Sequence, residues 1–288
     1  MATSDEGAKT LRVAPKAKKG PLTRPGELTA SGRPGGARSV ALQAYVLHSH
    51  DWSESSLIVE LFTRAQGRIV VAAKGAKRPT SNFRAVLLPF QPLLAQLGRA
   101  PVDAQAEIFN LRSAEWAGGQ PLLGAAAMFS GYYANELLLK LLARQDAHPG
   151  LFDAYADTLA ALGTGEDEGP ALRAFELVLL RELGWLPELD SATLTTQPLG
   201  PDTRYTLTAE GGVIANAEGL PGSTWVALEA ALAHQAQAGS AAALRAACAS
   251  VATALRGPLR ALLHYHLGPT PLRTRQVWQG VQRLVDLR

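Results

Sequence analysis

The stretch YVLHSHDWSESSLIVELFTRAQGRIVVAAKG, residues 45–75, decides the fold. Its apolar residues come in short runs rich in Val, Leu, Ile and aromatics, not at the three-to-four spacing of a helix. A polar segment at 49–53 and the pair Gln66-Gly67 punctuate these runs as turns. Working outward, the runs 40–47, 56–63, 68–73, 87–97 and 104–112 share this texture, with further breakers at 75–81 and 98–101. Five short strands in about 75 residues predict a small closed barrel. Pro89 and Pro92 restrict the fourth run to an edge, a bulge or two pieces, because proline has no N–H to give a ladder.

After about residue 115 the period becomes helical. The stretch 122–143 is long and apolar, with Asn135, Glu136 and Lys140 on one side. Leu151, Tyr155, Leu159 and Leu162 form one stripe. The run GTGEDEG, 163–169, reads as a turn, and Pro170 as a first helical residue. Leu172, Phe175, Leu179 and Leu183 form a second stripe, closed by Gly184 as a C-cap. Alternation at 203–208 and 213–215, flanking Gly211-Gly212, predicts a hairpin. Helices resume at 223–237 and 240–267, the latter broken at Gly257-Pro258, and a last one covers 275–287. The chain is therefore α+β: a basic, disordered tail over 1–38, a barrel over 39–114, and a helical domain over 115–288 with a hairpin insertion at about 185–220.

Composition narrows the function. At 288 residues, 47% hydrophobic and 18% charged, the chain can bury a full core. A single cysteine, Cys248, excludes an internal disulfide and any zinc site needing two thiolates, and fits a reducing compartment. No apolar run is long enough to span a membrane, so a cytoplasmic protein is expected. Charge is segregated. Residues 1–38 carry eight Lys/Arg against three Asp/Glu, 39–98 carry six against three, 99–252 carry eight against eighteen, and 253–288 carry six against one. Basic ends around an acidic middle suit a polyanion partner, or solubility alone.

Enzyme signatures are missing. There is no glycine-rich nucleotide loop, no Gly-x-Ser-x-Gly and no His-Glu-x-x-His. His48 and His50 fall in a segment that reads as a polar loop between strands, and His264 and His266 near a helix end. Cys248, in an Ala-rich helix, reads as buried and inert. The sharpest feature is 64–84, where Arg64, Arg68, Lys74, Lys77, Arg78 and Arg84 occur with no acid. Phe62, Phe83 and Phe90 lie in or beside it, as stacking residues or as core. A barrel with cations along one face can track a phosphate backbone.

Residues 45–62 (YVLHSHDWSESSLIVELF), 63–75 (TRAQGRIVVAAKG) and 88–94 (LPFQPLL) resemble the barrel of the RecO family of bacterial recombination mediators. YYANELLLKLL (132–142), LFDAYADTLAAL (151–162), LRAFELVLLRELGW (172–185) and the LHYHLG and PLRTRQV pieces within 262–277 look like its helical part. The resemblance runs in order over about 40–288. It implies an oligonucleotide-binding (OB) barrel packed on helices, binding of single- and double-stranded DNA, and strand annealing without catalysis or cofactor. It also implies partnership with the single-stranded DNA-binding protein SSB and with RecR, to load RecA onto SSB-coated DNA at the bacterial nucleoid. Many members hold zinc with four cysteines in the insertion. Here the expected positions fall near Ala192, Thr195, Ala215 and Glu218, so a zinc-free hairpin is expected.

The resemblance places the acidic, apolar-ended C-terminal tail of SSB on the helical domain. Tyr133 and Leu137, four apart on one helix, are expected as groove wall, and Arg173 as anchor for the tail's carboxylates. The competing reading makes Tyr133 and Leu137 ordinary core and pairs Arg173 with Glu176. A plain protein–protein adaptor of the SSB and RecR system, with little DNA activity of its own, is the alternative function. A nuclease would need a carboxylate cluster that the sequence lacks.

Overall fold

The computed structural model describes residues 41–98, 108–165, 167–238, 240–269 and 271–285. The basic tail lies outside them. Five strands close a barrel in the order β1-β2-β3-β5-β4: β1 (Leu42–Asp51), β2 (Leu57–Thr63), β3 (Gly67–Ala73), β4 (Leu93–Leu97) and β5 (Ile108–Trp116). β3 and β5 pair in parallel, and the other ladders are antiparallel. A short helix, α1 (Asn82–Val86), lies between β3 and β4. This is the OB-like barrel expected from the sequence.

Both faces of β1 and β2 carry buried apolar residues, because both are covered. Leu42, Ala44 and Val46 point into the barrel with Val59, Leu61, Ile69 and Val71. Tyr45, Leu47 and Phe62 point the other way and join the core of the helices. Period-two alternation thus separates two cores and not core from solvent. The strand boundaries shift accordingly. His48 and His50 are not in a loop: β1 continues to Asp51, opposite Glu60 and Ile58, after an irregularity between Val46 and His48. That end of β1 is polar because it is exposed. The fourth run shrinks to Leu93–Leu97, since Pro89 and Pro92 precede the ladder.

The helices are α2 (Ala125–Leu141), α3 (Pro149–Thr164), α4 (Glu168–Glu182), α5 (Gly222–Ala238), α6 (Ala242–Cys248), α7 (Ala252–Leu267) and α8 (Arg273–Val285). α4 starts before Pro170, because Asp167 accepts from Gly169 N and caps it. The break expected at Gly257-Pro258 lies instead between α6 and α7. Leu244 and Cys248 are buried before it, and Leu255 and Leu259 after it. Pro258 stays inside α7, held by buried Leu255, Leu259, Leu262 and Leu263 against a cost of about 3 kcal/mol.

Aromatic rings seal the barrel to the helices. Tyr45 and Phe62 each lie within about 6 Å of Phe152 and Tyr155 on α3. Asn135, one of the polar residues on one side of the helical stretch 122–143, is buried: Nδ2 donates to Leu47 O, and Oδ1 accepts from Tyr155 Oη. Gly67 has φ +64°, and a Cβ there would overlap the carbonyl of Asp146. Residues 39–288 form one compact unit.

The insertion is β6 (Arg204–Thr208), β7 (Gly212–Ala215) and β8 (Leu220–Pro221), ordered β7-β6-β8. The predicted hairpin is present, with Gly212 at φ +64°. Buried Tyr205, Leu207 and Val213 join it to the core of the helices, and hydrogen bonds fix it further. Trp225 Nε1 donates to Tyr205 O, Tyr205 Oη accepts from Gly200 N, and Thr193 Oγ1 accepts from Val213 N. Ala192, Thr195, Ala215 and Glu218 lie in these turns and strand ends. No group of three or more His, Cys, Asp or Glu among the described residues is placed to hold a metal.

Candidate nucleic-acid interface and helical cavity

The six cations of 64–84 are acid-free in sequence but not in space. Arg64 donates from Nε and Nη2 to Asp153 on α3, both at 2.9 Å. Arg68 donates to Leu142 O at 3.0 Å and pairs with Glu60 at 3.4 Å, where Arg144 also binds. These two stitch the barrel to the helices. Lys77 pairs with Asp51 at 3.3 Å. Lys74, Arg78 and Arg84 are exposed on the β3–β4 connection and make no ion pair with a described residue. The cluster therefore divides into a structural seam and a solvent-facing basic connection. Phe62 and Phe90 are buried, and Phe83 packs on the barrel core, so all three are packing residues.

A cavity of about 620 Å³ opens between α2, α4 and α7. α2 contributes Phe129, Ser130 and Tyr133, and α4 contributes Leu172, Arg173 and Glu176, each at helical spacing. α7 adds Arg256 and Arg260, four apart and both exposed. Tyr133 and Arg173 thus line one cavity. Leu137 is fully buried in the core and does not line it.

The floor is polar. Tyr133 Oη donates to Glu176 Oε1 at 2.7 Å, and Arg173 Nη2 donates to the same oxygen. Burial pushes the Glu176 carboxyl above its ordinary value despite Arg173, and burial beside Glu176 pushes the Tyr133 phenol well above its own. Arg173 Nε and Glu176 Oε2 are buried with no partner. The site therefore offers one buried donor and one buried acceptor, under a rim that carries the exposed guanidinium groups of Arg256 and Arg260. Cys248 is buried nearby, its thiol pushed by desolvation up to about 12.

Sequence reading named Tyr133 and Arg173 but missed Arg256 and Arg260. Their signal was present: an i, i+4 cation pair flanking the stripe of Leu255, Leu259 and Leu262. His264 also lines the cavity, and His266 stacks on Trp185 at 4.1 Å and 7°.

Glu136, on the same helix as Asn135 and Lys140, holds α8. It accepts from Arg273 N at 2.8 Å, and from Thr274 N at 3.0 Å and Oγ1 at 2.7 Å. No helix among the described residues is long and apolar enough to cross a membrane.

Comparison with known proteins agrees with this architecture. The family model "Recombination protein O N terminal" matches residues 38–118, and "Recombination protein O C terminal" matches 125–276. The DNA repair protein RecO of Variovorax paradoxus (strain S110) is 52% identical over 258 residues, covering 84% of this chain and 96% of that protein. The protein of the same name from Verminephrobacter eiseniae (strain EF01-2) is 51% identical over 251 residues, with the same coverage. The one from Acidovorax ebreus (strain TPSY) is 49% identical over 261, covering 86% and 99%.

Proposed function

The chain belongs to the RecO family of DNA repair proteins, and on that footing we propose that it is a non-enzymatic mediator of strand annealing and recombination. It binds single- and double-stranded DNA through the barrel, takes the C-terminal tail of SSB into the helical cavity and, with RecR, helps load RecA onto SSB-coated DNA. The observation that carries the DNA part is the exposed set Lys74, Arg78 and Arg84, which makes no ion pair with a described residue. Such cations neutralise phosphates and release counterions, which lets two like-charged strands approach while base pairing supplies the sequence information.

Replacing Lys74, Arg78 and Arg84 together by Ala tests this. Removing about three phosphate contacts lowers the slope of log affinity against log salt by roughly two to three. An unchanged slope moves the DNA path elsewhere, to the tail or the C-terminal cations. Arg64, Arg68 and Lys77 belong to this reading only as weaker contributors, because acids already hold them.

The cavity supports the tail-binding part. A peptide with an apolar end and acidic residues needs an apolar wall and paired carboxylates on partial desolvation. Phe129, Leu172 and Leu263 supply the wall, and Arg256, Arg260 and the free Nε of Arg173 the donors. Charge-reversal of Arg256 and Arg260 abolishes tail-peptide binding on this reading, and unaltered binding excludes the cavity. One observation favours a second reading, a protein–protein adaptor: half of the barrel's basic cluster is engaged in internal ion pairs. An annealing assay with the chain alone separates the two, since an adaptor leaves the spontaneous rate unchanged.

A further inference from the structure

We propose that Trp52 is a stacking platform for an unpaired base, which adds affinity for single strands over duplex; this rests on the barrel being the DNA-binding surface. Trp52 follows β1 and is 57% exposed, whereas Trp225 is 1% exposed. Trp116 on β5 is 58% exposed as well, so exposure alone does not single out Trp52; its turn's bonds to the basic β3–β4 connection do.

The turn that carries Trp52 is tied down. Trp52 N and Ser53 N both donate to Ser56 O, at 3.2 and 3.4 Å. The β3–β4 connection clamps it from the side: Lys77 N donates to Ser55 O at 3.0 Å, Gly75 N to Ser56 Oγ at 3.3 Å, and Lys77 Nζ to Ser53 O at 3.2 Å. The clamp joins the indole's turn to the segment bearing Lys74 and Arg78. Lys77 neutralises Asp51, while Glu54 makes no ion pair with a described residue. Earlier on β1, the exposed rings of His48 and His50 lie with centroids 4.2 Å apart.

An exposed ring on a tied-down turn, bonded to the segment that carries Lys74 and Arg78, fits a planar group attached to a polyanion. Unpaired bases offer open π-faces, and duplex bases are already stacked on one another. Base–aromatic stacking tolerates any sequence and is sensitive to loss of the ring. The cations hold phosphates of either form; the indole selects the single strand.

The test uses the full chain, a thymidine oligonucleotide and a duplex of the same length, with anisotropy read across a salt series. Trp52→Ala weakens single-strand binding about 5- to 150-fold, the range of one lost stack. Duplex affinity stays within about twofold and the salt slope is unchanged, because phosphate contacts set it. Trp52→Phe keeps most of the single-strand affinity. Unchanged single-strand binding in Trp52→Ala overturns the proposal, as does an equal loss on both DNAs, the outcome expected if the turn only shapes the surface. The Lys74, Arg78 and Arg84 triple variant runs alongside. If it loses both DNAs while Trp52→Ala loses neither, the stacking proposal alone falls; if neither variant changes anything, the barrel reading falls with it.

Discussion

Arg64 and Asp153 meet in a two-pronged ion pair across the seam between barrel and helices, with both N···O distances at 2.9 Å. They are 89 residues apart in sequence, so no local pattern reveals the pair. Each guanidinium edge used on Asp153 is unavailable to a phosphate. The arginine is half exposed, so solvent screens the pair.

Arg64→Ala therefore costs at most about 1 kcal/mol of stability, measured by urea denaturation. It lowers the salt slope of DNA binding by less than the loss of any one of Lys74, Arg78 or Arg84. A slope change as large as theirs would show that Asp153 releases Arg64 to DNA.

Arg173 calls for a different variant from the one its sequence suggests. An anchor facing an open groove would tolerate charge reversal without loss of fold. In the structure Arg173 is buried against Glu176 and Tyr133. Breaking such a pair by removing one partner typically costs about 3–5 kcal/mol. Arg173→Glu, which adds a second buried carboxylate, should lower the melting temperature sharply by calorimetry. Arg256→Glu, on the exposed rim, should melt near wild type.

Much of the architecture is legible in the sequence because burial writes it there. The barrel runs, the Leu151–Tyr155–Leu159–Leu162 stripe and the Gly212 hairpin all follow from solvent exclusion or from a positive φ. What is illegible depends on the far side of a contact. Nothing in residues 64–84 tells that Asp153 and Glu60 face two of the arginines. Asn135 and Glu136 look like a solvent side until Leu47 and α8 supply their partners. His48 and His50 read as loop because an exposed strand end has a loop's composition. Gly257-Pro258 reads as a break because local propensity lacks the leucines that hold α7 together. Arg256 and Arg260 become part of a site only when α7 is laid against α2 and α4.

The attachment of α8 should respond to acid. Burial of Glu136 opposes its ionisation, but the backbone N–H groups of Thr274 and Arg273, with Thr274 Oγ1 and Lys140, outweigh burial and hold the carboxyl below its usual value. A depressed folded pKa contributes stability above the unfolded glutamate pKa, lost as pH falls through the folded value. The carboxylate also lies at the helix N-terminus, where the macrodipole favours negative charge. Amide exchange in α8 should thus accelerate as pH drops below the ordinary glutamate range, beyond the intrinsic pH dependence of exchange. In Glu136→Ala the helix should be poorly protected already at neutral pH, with that extra acid response gone.

The insertion should stand without metal, because its contacts are those of an ordinary small core. Glu229 receives Arg181 at 2.7 and 3.0 Å and Leu189 N at 2.9 Å, which anchors the chain entering the insertion to α5. Trp225, also on α5, is 1% exposed and donates to Tyr205 O in β6 at 3.0 Å. Extended treatment with a chelator should leave the melting temperature unchanged, and elemental analysis should find no stoichiometric zinc. Trp225→Ala should cost about 3–5 kcal/mol, from the lost transfer energy, the cavity and the unpaired Tyr205 carbonyl together. Trp225→Phe keeps most of the volume but not the donor, so about 1–3 kcal/mol should remain as the cost of that unpaired carbonyl. A chelator-induced drop in melting temperature would mean that metal, and not Trp225 and Glu229, holds the hairpin.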